Sequence, residues 1–227
     1  MYASTITKTL AAADDNGIAE SQALAAAGFL TLNGALVVAG VAQLLSGRQV
    51  VIHSGGDDST LTWTVLGTNE SGSPIKDSFA GVNAGDATSN LLNFKSVTSI
   101  YANKAVATTA YAGTNGVGAS DPKIFARTIG TPHLDLQAVL VSGAVNYDVQ
   151  YTQEEFLQPV STTGAQSSNA NGDVTPNPVW VSFTDMTGKS AAAQGAEVIT
   201  MNAWRVKINS GTGVLRVTGV QPGLGSP

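Results

Sequence analysis

Few residues in this chain are spaced for chemistry. His53 ends the run VVIHS beside a Gly-rich turn, His133 follows Thr131-Pro132, and no H-x-H or H-x-x-x-H spacing occurs. A single histidine at a strand end reads as a polar terminator rather than a ligand or base. Asp57-Asp58, with Ser59 and Thr60, offers oxygens of the kind calcium prefers but lacks the alternating pattern of an acidic calcium loop, so it reads as a β-turn. Glu154-Glu155 places two carboxylates side by side, where a strand would point them to opposite faces and not at one glycosidic bond. The Gly-rich pieces GTNGVG (113–118) and GLG (223–225) do not sit between a strand and a long helix, so they make no phosphate cradle, and no G-x-S-x-G elbow is present. With no cysteine there is neither thiolate chemistry nor disulfide stapling, and zinc would have only His53, His133 and carboxylates to bind. Trp63, Trp180 and Trp204 fall inside alternating runs and read as core, with Trp180 the one tryptophan beside a long polar loop. No catalytic, cofactor-binding or metal-binding residue is assigned, and the chain is expected not to be an enzyme.

The elements that would position any site are strands. Residues 49–53, 61–67 and 75–81 are rich in β-branched and aromatic residues and are separated by Gly, Ser, Asp and Asn clusters, the pattern of an antiparallel meander. In the middle run Leu61, Trp63 and Val65 alternate with threonines, giving one apolar and one hydroxyl-bearing face. Asn33-Gly34 predicts a hairpin over 29–36. In 91–101 the inward parity changes between Phe94 and Val97, which predicts a bulge. Further strands are expected at 105–112, 123–128, 134–141, 146–152, 179–183, 198–201, 204–209 and 214–220, the last two as a hairpin with Trp204, Val206 and Ile208 on its apolar side. Helix is nearly absent, with single turns expected at 154–157 and 190–197. No repeat of 20 to 50 residues is visible.

The composition narrows the function classes. The 227 residues are 43% hydrophobic, enough for one large or two small cores, yet only 12% charged, about half the usual quarter. The net charge of −5 without any run of Lys or Arg argues against nucleic acid as a partner, since binding needs clustered cations. The most apolar window, 23–45, is broken by Gly28, Asn33, Gly34 and Gly40 and reads as strands and a turn rather than a membrane span. No conventional export signal is expected at the N-terminus.

The fold class is therefore all-β: two antiparallel β-sandwich or barrel-like domains in tandem with an extended N-terminal arm. The arm is 1–24, the first domain 25–113, the linker 114–122 and the second domain 123–227. The arm carries too few large apolar groups to bury a face of its own, so it is either flexible or ordered by a partner. In the second case Thr5, Ile6, Thr7, Leu10 and Ile18 are its candidate partner contacts, with Trp180 a sixth from the second domain. The polar stretch 158–178 is too long for a compact domain to leave idle and is either a tolerated insertion or a binding loop.

TLNGAL near the start, GRQVVIHSGGDDSTLTWTVLGTNESGSPIKDSFAG and FKSVTSIYAN together resemble the first domain of small β-rich virion proteins encoded among the head and neck genes of tailed bacteriophages. VQYTQEEF, NPVWVSFTDMTG and AWRVKINSGTGVLRVTGVQPG are similar to the second β-domain of that group. The resemblance implies a non-enzymatic virion part, assembled in the host bacterial cytoplasm, with other virion proteins as partners. Within that class the expectation is a trimeric decoration or cement protein on the major capsid protein. A head-to-tail junction or tail component is its closest rival. A carbohydrate-binding β-sandwich or adhesin using Trp180 and 158–178 is the alternative from another class, and a glycan depolymerase is the weakest.

Overall fold

The computed structural model describes residues 2–125, 133–154 and 178–221, which are all-β, with a single 3-10 turn at Thr184–Met186 and no α-helix among them. In chain order the strands begin with β1 (Tyr2–Thr9), β2 (Asp14–Gln22), β3 (Gly28–Phe29), β4 (Val37–Val38), β5 (Val41–Arg48) and β6 (Val50–Asp57). They continue with β7 (Thr62–Thr68), β8 (Pro74–Ala80), β9 (Asn83–Thr88), β10 (Phe94–Ala102), β11 (Ala110–Thr114), β12 (Gly118–Ala119) and β13 (Lys123–Ile124). The last are β14 (Leu134–Ser142), β15 (Val145–Thr152), β16 (Val181–Ser182), β17 (Ala193–Glu197), β18 (Ala203–Gly211) and β19 (Val214–Gln221).

All pairings are antiparallel and form four sheets: A (β1-β19-β14-β17), B (β2-β11-β6-β9), C (β4-β5-β10-β7-β8, with β3 also on β10) and D (β12-β18-β15-β16, with β13 also on β18). Sheets B and C enclose one core, within a unit spanning 12–115. Sheets A and D enclose the other, within a unit whose described residues are 2–11, 116–125, 133–154 and 178–221. Each is sandwich-like. Alternation builds both: Leu61, Trp63 and Val65 are buried in the first, and Trp204, Val206 and Ile208 in the second. Each such side chain contributes about 1.5–3 kcal/mol by leaving water. The parity change in β10 is met by register shifts on both sides of the strand, against β5 between Phe94 and Ser96 and against β7 between Val97 and Ser99.

The structure corrects several expectations. Residues 2–24 hold two strands and form no arm. β1 pairs with β19 over eight consecutive residues, from Tyr2 opposite Gln221 to Thr9 opposite Val214, and β2 pairs with β11. The N-terminal segment finds its order within its own chain, because alternate residues of β1 (Ile6, Lys8) turn inward and Leu10 follows them into the core. The two units consequently do not follow one another in simple tandem. Nor is 114–122 a free linker: Thr114 ends β11, and Gly118 and Ala119 form β12 against Ile208 and Lys207. The 29–36 hairpin does not form. Its Asn-Gly pair serves β2 instead, with Gly34 N–H donating to Ile18 O (3.2 Å), Leu36 N–H to Gly17 O (2.8 Å) and Glu20 N–H to Asn33 Oδ1 (2.9 Å). Residues 193–197, expected as a helical turn, are strand β17 paired with β14.

Two expected neighbour pairings are also replaced. β6 lies in sheet B while β7 and β8 pair in sheet C, and β18 and β19 lie in sheets D and A. These short connections are arches over a core rather than hairpins. An apolar face can reach the core either way, and here each strand's backbone partners come from elsewhere in the chain. The arches of the second unit stack closely: Gly143, at φ 66°, comes so near that a Cβ on it would lie 2.8 Å from Gly213 Cα.

The two units share one strand plan. β2, β3, β5, β6, β7, β8, β9, β10 and β11 correspond in order to β1, β12, β13, β14, β15, β16, β17, β18 and β19. Every pairing among the first set (β2 with β11, β11 with β6, β6 with β9, β3 and β5 with β10, β10 with β7, β7 with β8) has its counterpart in the second. Only the two-residue β4 lacks one. The chain thus contains the same topology twice, with one copy inserted after the first strand of the other.

Candidate functional site

Most side chains able to do chemistry are engaged in holding the backbone. Lys8 is 1% exposed and its Nζ donates to Ala119 O at 2.9 Å. Arg48 is equally buried, and Nη2 donates to Asn115 O (2.7 Å) and Ala12 O (3.2 Å). Burial lowers the Arg48 guanidinium from its ordinary value, and the nearby Asp14 carboxylate works the other way. Asp58 accepts from Ala107 N–H at 2.8 Å and from the Ser54 hydroxyl, fixing the turn after β6 to the segment before β11. Beside it, Asp57 accepts from the Ser59 hydroxyl (2.7 Å) and N–H (3.1 Å), which hold its carboxyl below the usual carboxylate range. The Asp57-Asp58 pair is thus turn chemistry. Asp148 accepts from Gly188 N–H (2.7 Å) and Asn209 Nδ2 (3.0 Å).

Both histidines pair with aspartates on sheet surfaces. His53 Nδ1 lies 2.9 Å from Asp86 Oδ1, and its ring stacks on Tyr111 at 4.5 Å, so that Tyr111, His53 and Asp86 form a row across β11, β6 and β9. Tyr111 also walls a shallow depression with Asp15, Asn16 and Ser21. His133 Nε2 lies 2.8 Å from Asp135 Oδ1. Among the described residues no three His, Asp or Glu converge as metal ligands.

The outer face of sheet A carries a row of polar side chains. Register places Thr5, Thr218, Gln137 and Gln194 in one row across β1, β19, β14 and β17, with Thr5 Oγ1 and Thr218 Oγ1 3.2 Å apart. A depression of about 540 Å³ opens there, lined by Asp135, Gln137, Asp185, Gln194 and Thr218 together with the apolar Leu136, Ala196 and Val220. The hydroxyls and amides here can each make modest hydrogen bonds.

The six residues expected to touch partners are scattered. Thr5 and Thr7 are exposed on the outer face of β1, where a partner can reach them. Ile6 (5% exposed) and Leu10 belong to the core of sheets A and D, and Ile18 to that of B and C. These three are unavailable to a partner, since in each unit the strand's apolar face supplies part of that unit's own core. Trp180 precedes β16 of sheet D, and its ring carries the Arg205 guanidinium 4.2 Å from its centroid. Arg205 Nε donates to Gln150 Oε1 at 2.9 Å, and burial pushes its pKa down to about 9. Trp180 thus serves an internal cation–π contact. Of the polar loop 158–178, only Pro178 lies within the described residues. Gln137, Gln194 and Thr218 share this face but were not among the residues expected to touch partners, although the alternation of LDLQAV in β14 turns Asp135 and Gln137 to one side.

No protein-family model matches the chain, and no similar curated protein or solved structure is found.

Proposed function

We propose that this protein is a non-enzymatic structural component of a bacteriophage virion, a decoration protein that binds the outer surface of the capsid. The observation that carries this reading is how the polar side chains are used. Lys8, Arg48, Asp58 and Asp148 hold main-chain groups in place, while the sheet A surface offers hydroxyls, amides and the Asp135 and Asp185 carboxylates, polar groups available for protein contact. The resemblance of the strand and turn motifs to phage head and neck proteins points the same way. Repeated placement on a shell lets weak single contacts sum to firm attachment.

Co-sedimentation of the purified chain with capsid shells that lack it tests the proposal. Saturable binding, weakened when Gln137 and Thr218 on the outer face of sheet A are both replaced by lysine, supports it. Binding to tail or neck assemblies instead of shells would move the protein to the head-to-tail junction, and binding to neither would overturn a virion role.

A further inference from the structure

Edge strands expose backbone groups that can pair with another chain, and proteins blunt them with charge, proline, bulges, shortness or a covering segment. Nearly every described edge here carries one of these devices. β4, β12, β13 and β16 are two residues long, and β17 is five. β8 contains Pro74 and Lys76, and the pairing of β9 is irregular beyond Ser54. β2 carries Asp14, Asp15 and Glu20, and its own chain is bonded to it at Gly17, Ile18, Glu20 and Gln22, where the Gln22 amide joins both backbone groups of Thr31 (2.8 and 3.0 Å).

β1, the counterpart of β2 in the shared plan, has only one, the inward-turned Lys8, and none on its outer face. It is eight residues long, pairs with β19 without a register shift, and no strand is described against its other side. Thr5, Thr7 and Thr9 are exposed, and its one charged residue, Lys8, is turned inward to Ala119. The segment that covers β2 lies between β3 and β5, whereas only residues 120–122 separate β12 from β13, the corresponding strands.

We propose that the open edge of β1 pairs antiparallel with β1 of a second copy of this chain. The sequence YASTITKT is self-complementary about Ile6: Ile6 meets Ile6, Thr5 meets Thr7, and Ser4 meets Lys8. Inward residues thus stay inward, no like charges oppose, and sheet A continues across a two-fold axis. Such an interface closes with two chains, so it is distinct from the trimer expected of a decoration protein, and it does not depend on the capsid reading.

Light scattering across a dilution series tests this on the full chain without any capsid component. The wild type is expected at twice the chain mass of 23.1 kDa. The double variant Thr5→Glu/Thr7→Glu sets glutamates opposite each other across the two-fold, while within the chain position 7 faces Arg216 and position 5 faces Thr218. It is expected at the single-chain mass with unchanged circular dichroism. Thr5→Lys/Thr7→Glu places lysine opposite glutamate in the same register and is expected to restore the doubled mass. A wild-type chain of single mass at all concentrations, or any assembly indifferent to both variants, overturns the proposal.

Discussion

At the scale of single residues, the protein uses ionisable groups as fasteners, and Arg205 shows the balance of terms. Its guanidinium lies between the Trp180 ring and Gln150 Oε1, and its folded pKa of about 9 is below the ordinary value because the charge is largely removed from water. For a base with a lowered pKa the sign is unfavourable at neutral pH. The charged form carries its full desolvation cost below pH 9, and stability from this group rises only as pH climbs through that value. No carboxylate among the described residues offsets this cost, and a methionine of similar length removes the charge while keeping apolar contact with the Trp180 ring. Arg205→Met should therefore unfold at or above the wild-type denaturant midpoint at pH 7, by up to about 1 kcal/mol. Arg205→Lys, which lacks the planar fork, should fall below it. The gap between wild type and Arg205→Met should move toward the wild type above pH 9. A clear loss of stability in the methionine variant at pH 7 would contradict this account.

At the scale of elements, β1 is the informative strand. Its sequence looks too polar for a core element because only alternate positions turn inward and one of these is Lys8, whose stem is buried while its ammonium reaches a carbonyl. Ile6→Ala should cost about 2–4 kcal/mol in chemical denaturation, the range for deleting a buried aliphatic side chain. Thr5→Ala, one residue away on the wet face, should stay within about 0.5 kcal/mol. Equal, near-zero effects of both would return 1–24 to the status of an arm. The faces of strands were legible from alternation, as Leu61, Trp63 and Val65 demonstrate. Their partners were not, since the pattern that buries Trp204, Val206 and Ile208 is the same whether β18 makes a hairpin with β19 or arches over the core to the opposite sheet.

At the scale of the whole molecule, nine corresponding strands recur in the same pairing scheme, and one copy interrupts the other after β1. The unit of sheets B and C is continuous between 12 and 115, whereas that of A and D needs a strand from the far end of the chain. A fragment of residues 12–115 should therefore fold cooperatively by itself. A fragment of residues 116–227 should fold only when a peptide of residues 1–11 is added, read as a gain of β-signal in circular dichroism and of dispersed amide resonances. Independent folding of the 116–227 fragment would show β1 to be dispensable.

Strands, turns and a low charge with largely uncharged polar faces were legible in the residues alone. Those properties are local, written in alternation, turn residues and composition. Tertiary structure alone decided that β1 belongs with β19, that Asn33-Gly34 serves β2, that Trp180 is occupied by Arg205 and that the two units share one plan. Each of these joins residues separated by anything from 13 to more than 200 positions. Such contacts depend on which backbone edges and buried faces remain unsatisfied once the nearer strands have packed, and no local pattern encodes that.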